Sequence, residues 1–151
     1  MKKIAIVGSR TYTNYEELKS FVFSCIPLSE IELVISGAAK NGADSLVVRF
    51  AKEFNLPLKE FPADWDTYGK RAGFIRNVDI VEASDMVICF WDGYSKGTKH
   101  DIDIATEKGK ELHICKFQKQ IELSVKKVAI PIHKDNERLL KTIQKLRKGL
   151  K

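Results

Sequence analysis

Between two apolar, strand-like runs, residues 63–77 read Ala-Asp-Trp-Asp-Thr-Tyr-Gly-Lys-Arg-Ala-Gly-Phe-Ile-Arg-Asn. Trp65, Tyr68, Lys70, Arg71, Arg76 and Asn77 crowd into one loop-to-helix transition with Gly69 and Gly73. A packed core has no use for that mixture. A flat ring can stack, a guanidinium can hold an anion, and glycine lets a backbone approach closely. Two more glycine turns follow apolar runs: Gly8-Ser9-Arg10, and Gly93-Tyr94-Ser95-Lys96-Gly97-Thr98. Together the three turns point to a pocket for a phosphate-bearing small molecule of nucleotide type.

The elements that must position these residues alternate. Strands are expected at Lys3–Val7, Glu32–Ser36, Pro57–Phe61, Asp85–Trp91 and Glu111–Cys115. Helices are expected at Tyr15–Cys25, Gly42–Phe54, Gly69–Ala83 and Lys99–Lys108. That alternation predicts an α/β domain, a Rossmann-like three-layer fold around a mostly parallel sheet of about five strands. Asn14 is placed to cap the first helix, with Glu17 completing a capping box, and Gly109 stands at a helix stop. A sixth strand is expected at Lys127–Ile132 and a last helix at Lys134–Lys151. The apolar stripe of that helix would cover the sheet or a second subunit. We read residues 1–151 as one domain, with a core at 1–117 and a C-terminal extension at 118–151.

With 151 residues, 44% of them hydrophobic, the chain can bury a core without staples. No apolar run is long enough to span a bilayer, and Met1-Lys2-Lys3 leads straight into a strand rather than a signal peptide. A cytoplasmic protein with no membrane partner is therefore expected. Cys25, Cys89 and Cys115 are widely spaced in apolar contexts. No metal site or cofactor is expected from them. The net charge is +6, much of it after Glu137. A basic tail is weaker evidence for nucleic acid than a basic face, so nucleic acid ranks last among the expected partners.

In an open parallel sheet, ligands bind beyond the carboxyl ends of the strands. The unusual residues all fall there. Gly8, Ser9 and Arg10 follow the first strand, and Ser36, Gly37, Ala38 and Asp44 follow the second. Trp65 follows the third; Gly93, Gly97 and Thr98 follow the fourth. Each also has a plain structural reading. Thr98 can cap a helix, Arg10 can be a surface residue of a turn, Arg76 can snorkel to solvent, and Trp65 can cover the sheet end. Neither GxGxxG nor a Walker A loop occurs.

The segments Val7–Arg10, Ser36–Ala38 with Gly42–Asp44, Ala63–Trp65 with Gly69-Lys70, Ala72-Gly73 with Arg76-Asn77, and Asp92-Gly93 with Gly97-Thr98 resemble the SLOG superfamily. They are most similar to its bacterial and phage branch related to the YpsA/YspA proteins. The resemblance runs from about Met1 to Cys115 and implies a Rossmann-like fold with a nucleotide-type ligand. It also implies relatives among lonely-guy phosphoribohydrolases, the DNA-processing protein A family and sensors of nucleotide signals. Lonely-guy enzymes carry a PGGxGTxxE loop. Asp101 occupies the place of its Glu, and Arg76 resembles the upstream Arg, so these two would be the catalytic pair of a hydrolase. The double glycine is absent and the acid is one methylene shorter.

The leading expectation is thus a homodimer or higher homo-oligomer that senses or sequesters a nucleotide-derived signal, ADP-ribose-like or cyclic. A lonely-guy-like hydrolase is the alternative. Single-stranded DNA binding is a third reading.

Overall fold

A computed structural model of the protein describes residues 1–118 and Lys145. The expected strand at Lys127–Ile132 and helix at Lys134–Lys151 lie outside that described stretch, Lys145 apart.

Five strands form one sheet: β1 (Lys2–Gly8), β2 (Ile31–Ser36), β3 (Leu58–Glu60), β4 (Met86–Trp91) and β5 (Glu111–Lys116). Their order is β3-β2-β1-β4-β5, and every neighbouring pair is parallel. The α/β Rossmann-like expectation therefore holds. Helices α1 (Tyr15–Cys25), α2 (Ala43–Glu53), α3 (Trp65–Tyr68), α4 (Ala72–Ala83) and α5 (Lys96–Glu107) fill the connections.

Strand alternation divides the core in two. Ile4 and Ile6 of β1, with Met86, Ile88 and Phe90 of β4, pack with Leu18 and Val22 of α1 and Val47 and Phe50 of α2. The odd positions Ala5, Val7, Val87 and Cys89 face the other way, onto Ile80 and Val81 of α4 and Ile104 and Ala105 of α5. Successive side chains of a strand point to opposite faces, so a run apolar at every position must be covered on both.

Local signals set most boundaries. The Glu17 N–H donates to Asn14 Oδ1 at 3.1 Å, which caps α1. The reciprocal half of the capping box does not form, because the Glu17 carboxylate accepts from the Tyr12 hydroxyl at 2.6 Å instead. Gly109 takes a φ of +66° just after α5. Two boundaries differ from expectation by more than one residue. The single helix expected at Gly69–Ala83 is split into α3, a 3-10 turn at Gly69–Arg71, and α4. Helix α5 begins at Lys96, so Gly97 and Thr98 lie within its first turn. Among the described residues no helix is long and apolar enough to cross a membrane.

Candidate functional site

The strand order reverses direction between β1 and β4. Connections leave these two adjacent strands toward opposite sides of the sheet, which opens a crevice past their carboxyl ends. Gly8 ends β1 there. A Cβ on it would stand 2.7 Å from the Phe90 carbonyl oxygen and 2.8 Å from Ala43 Cβ, so only glycine fits. The next peptide is pinned on both sides. Ser9 N–H donates to the Phe90 carbonyl at 3.0 Å, while the Ser9 carbonyl accepts from Ala43 N–H at 3.3 Å.

Across the crevice, the Asp92 carboxylate accepts from the N–H groups of Tyr94 (2.8 Å) and Ser95 (2.7 Å). This turn aims α5 at the cavity. The helix starts after Ser95 with no side-chain hydrogen bond capping it. Its first N–H groups therefore present partial positive charge. Thr98 is buried in that first turn, with its hydroxyl 3.3 Å from the Ser95 hydroxyl.

Helix α4 supplies the third wall. Arg76 Nη1 donates to the Gly37 carbonyl at 2.5 Å, and its Nε donates to Asn77 Oδ1 at 3.0 Å. Asn77 Nδ2 reaches the Gly97 carbonyl at 3.4 Å and His100 Nδ1 at 3.3 Å, tying α4 to α5. Burial lowers the pKa of His100, against a small opposing pull from Asp103.

Two acids lie among these cations. Asp44 Oδ2 accepts from Ala39 N–H at 3.0 Å. Burial raises its pKa, while the bond from Ala39 and the charge of Arg76 hold it down. Asp101 is only 5% exposed, and its Oδ1 has no hydrogen-bond partner among the described residues. Burial pushes its pKa up to about 8; Arg76 opposes that rise and Asp44 adds to it. At neutral pH Asp101 is thus mostly protonated, a neutral donor in a cavity that Arg10 and Arg76 also line.

These groups line a cavity of about 460 Å³, within the usual range of small-molecule sites. Ten of the sequence-predicted residues meet in it: Gly8, Ser9, Arg10, Gly37, Asp44, Arg76, Asn77, Gly97, Thr98 and Asp101. Four do not line it. Ser36 is fully buried, its hydroxyl unpartnered among the described residues. Ala38 takes a φ of +61° in the loop, and Gly93 a φ of +87° in the turn after β4. Trp65 stands outside, 52% exposed, with its ring edge over Gly73. Thr11, Ala39, Asp92, Tyr94 and Ser95 line the cavity unforeseen. Asp92 was legible as the first residue of an Asp-Gly turn, a position that favours an acceptor for its own backbone. Among the described residues no group of three or more His, Cys, Asp or Glu side chains could hold a metal ion.

No family model matches the chain. It is similar to the Gene 61 protein of Mycobacterium phage D29, 30% identical over 115 residues that cover 72% of this chain and 92% of that protein. The chain belongs to the family of that phage protein. Its fold is shared with DNA processing protein A from Helicobacter pylori, at a TM-score of 0.53 and 18% identity, covering 95% of this chain and 80% of that one. That neighbour is among the relatives the SLOG resemblance implies. Its solved structure concerns a single-stranded DNA binding mode. This goes against the expectation that ranked nucleic acid last among the partners. That expectation weighed the net charge, much of it after Glu137, and gave too little weight to Arg10 and Arg76, which line the crevice together.

Proposed function

We propose that this chain binds a nucleotide unit of single-stranded DNA, with the phosphate and sugar of that unit held in the crevice. The observation that carries the reading is the convergence of Arg10, Arg76 and the α5 N-terminus on one cavity. Backbone N–H groups of the first α5 turn and Ser9 Oγ receive phosphate oxygens, as helix N-termini commonly do. Arg10 supplies a charged fork. Arg76, Asn77 and neutral Asp101 face the sugar. The DNA-binding neighbour with the same fold supports single-stranded DNA as the source of the nucleotide.

A second reading is favoured by the buried acids. Asp44 and Asp101, both lining the cavity, suit the hydroxyls of a free nucleotide-derived signal, ADP-ribose-like or cyclic, as the YpsA/YspA-branch resemblance implies. A hydrolase would use the same pair of Asp101 and Arg76 on an N-glycosidic bond.

Calorimetry with a single-stranded oligodeoxynucleotide, nucleoside monophosphates and ADP-ribose separates the readings, with mass spectrometry of each mixture. Tight binding of the oligonucleotide without release of base is the expected result. Binding of ADP-ribose alone would move the assignment to the second reading, and release of free base would make the protein an enzyme. Arg10→Ala and Arg76→Ala should each weaken binding by about 1–3 kcal/mol, the loss of a charged hydrogen bond. Unchanged affinity in both variants would remove the phosphate contact of Arg10 and the sugar contact of Arg76. Affinity should also fall as pH rises through about 8, where Asp101 ionises and adds negative charge beside the anion. A flat profile from pH 6 to about 9 would show that Asp101 does not face the ligand.

A further inference from the structure

Tyr94, on the cavity wall itself, is exposed, and the fold leaves three more aromatic side chains in water on α3 and the start of α4. Trp65, Tyr68 and Phe74 are 52%, 50% and 53% exposed, whereas Tyr12, Phe50 and Phe90 are fully buried. The exposed three all belong to α3 and the first turn of α4. Their position follows from helical spacing. Arg76, Asn77 and Ile80 of α4 line the cavity. Gly73 precedes Arg76 by three residues and Ile80 by seven, so it continues the cavity-facing stripe one turn toward the helix start. Trp65 covers that turn, since a Cβ on Gly73 would lie 3.5 Å from the Trp65 ring. Phe74 sits on the same turn. Its ring meets His100 edge-on at 4.6 Å, and His100 contacts the cavity residue Asn77. Trp65 and Phe74 therefore adjoin the wall of the crevice, and Tyr68 follows Trp65 by three residues on α3.

The charge beside it suits a polyanion. Lys70 and Arg71 occupy the 3-10 turn between Tyr68 and Phe74, both exposed, and neither forms an ion pair among the described residues. Of the two nearby acids, Asp64 is occupied in capping α3, where it accepts from Thr67 N–H at 3.1 Å. Asp66 is exposed. Flat rings with cations interleaved form the surface on which successive bases of a single strand stack while their phosphates are neutralised.

We infer that Trp65, Tyr68 and Phe74, with Lys70 and Arg71, form a stacking platform for the nucleotide that adjoins the one in the crevice. The inference rests on the reading of the crevice as a nucleotide site. It adds the path that the strand takes on leaving it.

The test compares an oligonucleotide with its monomers. The full chain and its Trp65→Ala, Trp65→Phe, Phe74→Ala and Arg76→Ala variants are titrated with a mixed-sequence single-stranded oligodeoxynucleotide. Each is also titrated with the corresponding deoxynucleoside monophosphates, and circular dichroism checks folding. Trp65→Ala and Phe74→Ala should each weaken the oligonucleotide by about 5- to 100-fold, the loss of one stacked base. Neither should alter monomer affinity, and Trp65→Phe should restore most of the loss. Arg76→Ala should weaken both ligands. Unchanged oligonucleotide affinity in Trp65→Ala and Phe74→Ala, with both ligands lost in Arg76→Ala, would sink the platform and leave the crevice intact. Absence of any binding by the unmodified chain would remove the nucleotide reading and the platform with it. Self-association that disappears in Trp65→Ala, with oligonucleotide affinity unchanged, would assign the strip to a second copy of the chain and overturn the proposal.

Discussion

Asp101→Asn stabilises the folded chain, and the gain grows with pH. The folded-state pKa of Asp101 is raised from 3.8 to about 8. Between those values the folded chain holds a proton that the unfolded chain has released. Stability therefore falls as pH rises through this window, by about 1.4 kcal/mol per pH unit. At pH 7 the accumulated cost is on the order of 4 kcal/mol. Asparagine keeps the shape and carries no charge, so the variant escapes that slope. Its amide introduces one more buried donor, which costs roughly 1–3 kcal/mol if it stays unpaired. Near pH 5 the two effects nearly cancel, and by pH 8 the variant should be more stable by several kcal/mol. Denaturant melts across that range read the difference directly. A difference that does not change with pH would mean that Asp101 is ionised throughout and fully paired with Arg76. Retention of so costly an acid fits a functional demand on it. The same variant should lose the fall in ligand affinity above pH 8.

Gly42→Ala should cost roughly 3–5 kcal/mol and empty the site at once. Gly42 precedes α2 with φ at +71° and ψ at −146°, a conformation open essentially to glycine alone. A Cβ there would stand 2.4 Å from Arg10 Cα and 2.5 Å from both Arg10 C and the Ser9 oxygen. All three are backbone atoms, so no side-chain rotation relieves the contact. The loop after β1 must move away from α2, which breaks the bond between Ala43 N–H and the Ser9 carbonyl and carries Arg10 with it. Thermal melts and nucleotide titration should fall together. Gly97→Ala is the contrasting control. A Cβ there meets nothing within 4 Å, and the position is helical. That variant should hold or gain up to ~1 kcal/mol in stability, yet lose affinity because its methyl group would stand where the phosphate approaches. Equal stability of Gly42→Ala and the parent would show that the two loops are not locked together.

Much of this molecule was legible along the chain. Apolar runs without alternation marked strands covered on both faces, and the glycine turns after them marked the end where the cavity opens. Asn14 and Gly109 fixed a start and a stop through their own local chemistry. Ten predicted residues meet in one cavity because, in a parallel sheet, every strand delivers its following loop to the same edge. The start of α5 was missed by three residues. The Asp-Gly turn at Asp92 draws in the N–H groups of Tyr94 and Ser95 and lets the helix begin earlier.

Other properties belong to the tertiary structure alone. Composition could not say that β4 inserts beside β1, yet that pairing opens the crevice where it lies. Nor could it separate Trp65 from the cavity wall. The ring follows a short helix of its own, outside the stripe that faces inward. The charge state of Asp101 is the clearest case. Along the chain it is an ordinary acid in the first turn of the helix expected at Lys99–Lys108. In the fold it is enclosed with Asp44 and Arg76, residues far away in sequence, and it loses the water that would keep it ionised. Local chemistry fixes where elements begin and end, because its partners are a few residues apart. Strand order, exposure and proton affinity depend on partners that only the folded chain brings together.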